Sequence, residues 1–506
     1  SLEDNWLLDI QLYSEEFRSD LISLWMDEMQ IASKSPLRKT VKAYRKFFAA
    51  KERRAKVARQ QEQIEQPVQL HLAVMAAITV AKSRVPADIL QVVLEAGVDE
   101  DNRLYADLET YGAKDAFWTM ISQATGYSEA DADLGHLICH IWRTACTRTL
   151  PTENLPGLER YLSAQHQAWC YDFVSDWLHS DRNEHLYRLA RFVENTLRLP
   201  ERFMQLSLDE LLDTECFPCV HACVLHKLMA DIVQQVMDAD AITAAIEKRR
   251  TCVWYEGVAS FYEGLSQVAN MQRFFTEHAA GFHTVEAQNV WKEYIADYYR
   301  MDGFYRRFHL AYAESVKVFQ GELNDLFAQV AENVEGLYVH WLLDQLGENW
   351  TKAIEDDLKQ SGKSAEVPQQ EDFYAKWVHA ADGKVVVIIS DALRYEVAAS
   401  LTEQLKRETQ SKVELTAMQG IFPTITKFGI AALLPHKQLS VEVKGNGSLS
   451  VQADGLPTDS GYRGAVLKAA NPRSIALRYQ DVIDMNTEQL RALTNGMDVV
   501  YIYHDT

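Results

Sequence analysis

No run of the chain approaches the roughly 20 consecutive apolar residues of a membrane-spanning helix, and no secretory signal pattern is visible. Neither membrane insertion nor export is expected. Cysteine is scarce: seven residues in 506 suit a reducing cytoplasm and exclude a disulfide framework. Positive charge is in deficit, with 51 Lys and Arg against 72 Asp and Glu. The resulting net charge of −21 argues against broad, non-specific coating of nucleic acid, though a local basic groove is still allowed. No fixed-period repeat is visible, which leaves a solenoid without support. What is present is an ordinary globular composition, 47% hydrophobic and 24% charged, in a chain too long for one core. Two to four domains are expected.

The chemistry concentrates in residues 384–436. Lys384-Val-Val-Val-Ile-Ile-Ser-Asp391 is a short β-branched run, read as a parallel strand buried on both faces. Asp391 falls just past its carboxyl end, where open α/β sheets bind ligands. An amphipathic helix follows from Ala392, then a second strand candidate, Val413-Glu-Leu-Thr-Ala-Met-Gln419, and a helical run from Gly429 to His436. Thr424 and Thr426 are both candidate N-terminal residues of that last helix, whose N–H groups and dipole favour a phosphate and a deprotonated hydroxyl. A cation held by Asp391 would activate the hydroxyl as a nucleophile. The plainer reading makes one threonine an N-cap and Asp391 a loop residue.

The runs Ile388-Ile-Ser-Asp-Ala-Leu-Arg-Tyr-Glu396, Phe422-Pro-Thr-Ile-Thr-Lys427 and Leu433-Leu-Pro435 together resemble the PglZ family. That family belongs to the alkaline phosphatase superfamily and occurs in BREX-type phage-defence systems. Ile295-Ala-Asp-Tyr-Tyr-Arg-Met-Asp-Gly-Phe-Tyr-Arg-Arg-Phe308 shares the resemblance and extends it over most of the chain. The resemblance implies that Asp391 is the first metal ligand. The Pro-Thr-x-Thr spacing is similar to the phosphodiesterase branch, which places the nucleophile on Thr426, with Thr424 as the alternative register.

Elsewhere the residues speak mostly of packing. Lys34–Arg59 carries eleven Lys or Arg against the single acid Glu52, interleaved with Tyr44, Phe47 and Phe48. This reads either as a nucleic-acid-contacting helix or, the favoured reading, as a solvated face. From Val68 to Asp357 nearly everything is helical in period, with breaks at Val85-Pro-Ala-Asp, Leu155-Pro-Gly, Leu199-Pro-Glu and Met301-Asp-Gly303. Cys216-Phe-Pro-Cys-Val-His-Ala-Cys223 lacks the second knuckle of a zinc site, so Cys219 and Cys223 are read as core residues of a helix begun at Pro218. Residues 359–371 have the make-up of a linker or surface loop. Leu439–Gln452 alternates around Gly445-Asn-Gly447 as a β-hairpin.

The final run, Met497-Asp-Val-Val-Tyr-Ile-Tyr-His-Asp-Thr506, reads as another buried parallel strand ending in His504 and Asp505. Imidazole with carboxylate suits zinc or manganese better than magnesium. In the superfamily pattern His504 is the better match for a second-metal ligand, with Asp505 behind it. The expected architecture is a mainly α-helical body followed by a partial α/β alkaline-phosphatase-like domain: an N-terminal helical region over 1–150, a helical domain over 151–372 and the α/β part over 373–506. The chain opens at Ser1 inside an element of mixed strand and helix character, Asn5–Tyr13, and is read as a piece of a longer protein. The resemblance implies a parent with metal-dependent phosphoric-ester hydrolase activity, a phosphodiesterase or nuclease, acting beside other BREX proteins, with nucleic acid as a candidate substrate and no membrane partner. Residues 1–506 alone are expected to be inactive, because the superfamily's remaining ligands lie further along. The rival reading is a non-catalytic scaffold that docks other defence proteins through its helical body.

Overall fold

The computed structural model describes residues 21–504 except 61–62, 100, 284–285, 319–320, 365 and 446. Asn5–Tyr13 and Asp505 therefore lie outside the described residues, as does the central Asn446 of the hairpin turn. The chain divides into two compact units. One comprises Ser1–Met237, Ala241–Tyr262 and Val318–Leu326, the other Asp238–Asp240, Glu263–Lys317 and Phe327–Thr506. Among the described residues no helix is long and apolar enough to cross a membrane.

The first unit is helical throughout its described residues. Prolines open helices where the missing N–H costs nothing, as in Pro67–Thr79 and Pro86–Glu95. Helix Leu134–Cys146 is buried nearly all round, taking His140, Arg143 and Thr144 into the core along with its apolar residues. The Asp133 carboxylate accepts from the His136 N–H at 2.8 Å and so starts it, and Trp142 meets Trp177 of helix Gln167–Leu178 edge-on at 6.5 Å. In the basic stretch Tyr44, Phe47 and Phe48 are all buried, so no aromatic there is available to stack a base. Arg54 is buried too, bonded to Glu28 at 2.6 Å and lying over Trp25. Helix Cys219–Val233 begins after Pro218, with Cys216, Cys219 and Cys223 buried. Burial pushes all three thiols up, Cys223 to about 11, against the thiolate form that a metal requires.

The second unit carries helices and two small sheets. Helix Tyr299–Val318 runs straight through Met301-Asp-Gly303, where the sequence suggests a break. Met301 and Phe308 are buried on either side, and packing outweighs the ~1 kcal/mol that an interior glycine costs. The parallel sheet joins β1 (Val385–Ser390), β5 (Ser474–Arg478) and β6 (Val499–His504) in the order β1-β6-β5. A separate antiparallel sheet contains β2 (Leu439–Val443), β3 (Leu449–Ala453) and β4 (Leu456–Pro457). The mainly helical body with a small α/β region at its end is thus the architecture that forms.

Strand position explains where the burial pattern departs from expectation. Central β6 is buried along both faces from Val499 to Tyr503. β1 lies at the edge of the described sheet: Val387 and Ile389 are buried, but Val386 is 53% and Ile388 65% exposed. Val387, Ile389, Val499, Tyr501 and Tyr503 form one core face with Ile430, Leu434, Val466 and Leu467. Val413–Gln419 does not become a strand, because Gln419 makes only a single parallel bridge, to Gln369. Of the two readings of residues 359–371, the loop is the one that forms after helix Asp344–Ser361 fills its start: Ser364 and Val367 are buried, the Gln370 N–H donates to the Gln419 carbonyl at 2.9 Å, and Lys363 pairs with Glu371.

Candidate active site

Period two along β1 places Asp391 on the side of Val387 and Ile389, the side that helix Thr426–Ala432 covers. The register sets Ser390 beside His504, and the Asp391 N–H donates to the His504 carbonyl at 3.2 Å. The helix begins with Ile425 as its N-cap, without a side-chain cap, so neither Thr424 nor Thr426 caps it. The Thr426 hydroxyl instead donates to Asp391 Oδ2 at 2.9 Å, across 35 residues of sequence. Asp391 Oδ1 accepts from the Ala392 N–H at 3.0 Å, which fixes the carboxylate plane.

Ala392 holds φ at +55°, a left-handed conformation that alanine pays for. This turn aims the carboxylate while letting the chain enter helix Tyr395–Glu408. Ala392→Gly is therefore expected to be neutral or stabilising by up to about 1 kcal/mol, whereas Ala398→Gly on the following helix costs about 1 kcal/mol. Chemical denaturation of both variants checks it; equal losses at the two sites would remove the strain argument.

Around the pair lies a cavity of about 360 Å³ lined by Ser390, Asp391, Gly420, Thr424, Thr426 and Gln370 among others. Thr424 and Thr426 thus face the same space. Gln370 was not legible as a site residue; its Oε1 accepts from the Ile421 N–H at 3.0 Å and braces the threonine loop. His504 shares the sheet edge, but its ring stands edge-on to Tyr479 at 4.5 Å and it does not line the cavity. The Lys427 ammonium, which follows Thr426 in sequence, donates to the Leu449 carbonyl at 2.6 Å.

The rest of the Asp391 motif is an anchor. The Tyr395 hydroxyl donates to the Ile295 carbonyl at 3.2 Å, and buried Glu396 lies 3.6 Å from Arg306. Asp302 on helix Tyr299–Val318 accepts from the hydroxyls of Tyr294 at 2.6 Å and Tyr338 at 2.8 Å. Burial pushes its carboxyl above the usual range, opposed by those two hydrogen bonds and by the charge of Arg394. The charge of Arg394, in the Asp391 motif, is thus felt by a buried acid on a neighbouring helix. Both tyrosines sit on wide π-helical turns, Tyr294–Tyr298 and Gly336–Leu343, a departure often found beside functional sites.

The donor chemistry fits a divalent cation in kind: a carboxylate and a hydroxyl 2.9 Å apart, with an imidazole on the same edge. In number it is sparse, since among the described residues no three His, Cys, Asp or Glu side chains are grouped for a metal ion.

Residues 373–506 match the family described as the BREX system PglZ alkaline phosphatase-like domain. Along its whole length the chain is 28% identical to the alkaline phosphatase-like protein PglZ of Bacillus cereus (strain H3081.97) and 28% identical to the alkaline phosphatase-like protein BrxZ of Escherichia coli O9:H4 (strain HS). It spans 58% of the first relative and 60% of the second. No solved structure matches it. The Asp391 and Thr426 motifs lie inside the matched region, residues 373–506 are similar to the PglZ alkaline phosphatase-like domain, and the likeness to the two relatives runs along the whole chain.

Proposed function

We propose that the whole protein is a metal-dependent phosphoric-ester hydrolase, a phosphodiesterase or nuclease, working with other BREX proteins in phage defence in the cytoplasm. The observation that carries this reading is the Thr426 hydroxyl held on Asp391 Oδ2 at 2.9 Å, inside a cavity and free of any capping duty. Asp391 and Thr426 would hold the cation, with His504 and Asp505 as further ligands from the end of β6. Zinc or manganese suits a mixed carboxylate and imidazole set, and the bound ion supplies charge neutralisation at phosphorus and a lowered hydroxyl pKa.

The chain's own residues do the rest. Asp391 orients the hydroxyl through its hydrogen bond. Thr426 Oγ bonds to phosphorus as the ester P–O bond breaks, the hydroxyl proton leaving along the bond to Asp391. The ester oxygen takes up that proton and departs as the alcohol, and water then cleaves the phospho-threonine at phosphorus, its own proton restoring the Thr426 hydroxyl. A scaffold reading keeps one support: the first unit, more than half of the chain, contains none of these residues.

Turnover of bis(p-nitrophenyl) phosphate and of p-nitrophenyl phosphate, with zinc or manganese added to the protein at its relatives' full length, separates the two. Diester cleavage faster than monoester cleavage is expected. Absence of turnover with either metal would leave the scaffold.

A further inference from the structure

A second cavity, of about 530 Å³, opens beside the first, and Gly420 and Thr424 line both. Its walls are largely apolar and aromatic, with Trp291, Trp350, Ile354, Met418 and Phe422 beside the polar Thr351 and Gln419. The two tryptophan rings lie 6.1 Å apart, tilted by 35°. Trp291 lies on helix Ala287–Glu293, which leads into the π-helical turn at Tyr294–Tyr298, and Trp350 on helix Asp344–Ser361, which follows the one at Gly336–Leu343. The size falls within the roughly 300–1,000 Å³ of small-molecule sites, far more than a phosphoryl group fills.

We propose that this pocket is a substrate subsite for a planar aromatic substituent of the ester, a nucleobase, stacked on Trp291 and Trp350 while its phosphorus lies at Thr426. The proposal rests on the phosphodiesterase reading for the phosphorus position. The aromatic preference rests on the pocket itself: two neighbouring indole rings in a largely apolar wall offer a base a stacking surface. Thr424, two residues before Thr426, stands where the two cavities meet, so a single ester reaches both.

Gly347 gives a clean block. It lines the pocket, and a Cβ built there meets nothing within 4 Å. Gly347→Leu therefore fills the pocket from a helix that gains propensity by the exchange. The experiment titrates AMP and ribose 5-phosphate, which differ only by the base, into the chain by calorimetry and tryptophan fluorescence. AMP should bind about tenfold or more tightly than ribose 5-phosphate. The difference should vanish in Gly347→Leu and in Trp350→Ala, and persist in Thr426→Ala. Equal binding of the two probes, or an AMP preference untouched by Gly347→Leu, overturns the subsite. An AMP preference in a protein that cleaves no phosphodiester keeps the subsite and rejects the hydrolase. Thr426-dependent turnover without base preference does the reverse.

Discussion

Thr426→Ala should lower phosphodiester turnover at least about a thousandfold while changing stability by less than ~1 kcal/mol. The two halves of that expectation come from different observations. The hydroxyl donates to Asp391 Oδ2, so its removal strips the site of the group placed to attack phosphorus. The side chain is exposed and occupies the first helical position, after an Ile425 N-cap, so it lacks the burial and the capping bond that make a threonine structurally expensive. Thr424→Ala is the control. Thr424 shares the cavity and should retain most of the turnover. If Thr424→Ala abolishes activity and Thr426→Ala does not, the nucleophile lies two residues upstream, and the hydrogen bond to Asp391 is merely structural.

Acid should unfold the first unit well before its surface carboxylates are exhausted. His221 is 1% exposed, with Nδ1 3.0 Å from the Tyr262 hydroxyl and Nε2 without a partner among the described residues. Burial, reinforced by the charge of neighbouring Arg249, lowers its pKa from the ordinary 6.5 to about 3. Arg249 itself is fully buried and already donates to the carbonyls of Leu212 at 3.1 Å and Thr214 at 2.6 Å, so it does not withdraw. A depressed pKa means that the folded state prefers neutral imidazole. The associated stability is present above the unfolded value near 6.5 and is lost as pH falls toward about 3. Burial also lowers His71 and His140 in this unit, so they act in the same direction. Between pH 7 and pH 4 the loss through His221 should be on the order of 3 kcal/mol. His221→Asn can keep a bond to Tyr262 and does not titrate, so its stability should fall by that much less over the same range. Urea denaturation at the two pH values decides it: identical losses in both proteins would mean that His221 protonates without penalty.

Local pattern alone was enough for the elements that position the site. The β-branched run into Asp391, the alternation of the hairpin at 439–452 and the apolar run into His504 each form the strand that their periodicity demands. Hydrophobic period is a property of neighbours in sequence, so it survives without knowledge of the fold. What it does not contain is a strand's place in its sheet. Val386 and Ile388 look as buried as Val500 and Ile502, yet β1 is an edge and β6 is central, and only hydrogen-bond partners decide which. The same limit hid Gln370, whose polar side chain reads as solvent-facing until Ile421 arrives to be bonded from 51 residues away. Residue pattern alone also left Thr424 and Thr426 as two hydroxyls at one helix start, with only the Pro-Thr-x-Thr resemblance favouring Thr426; the structure adds the carboxylate that β1 delivers within 2.9 Å of the Thr426 hydroxyl. A pairing between side chains so far apart in the chain depends on how sheet and helix pack, which no local period encodes.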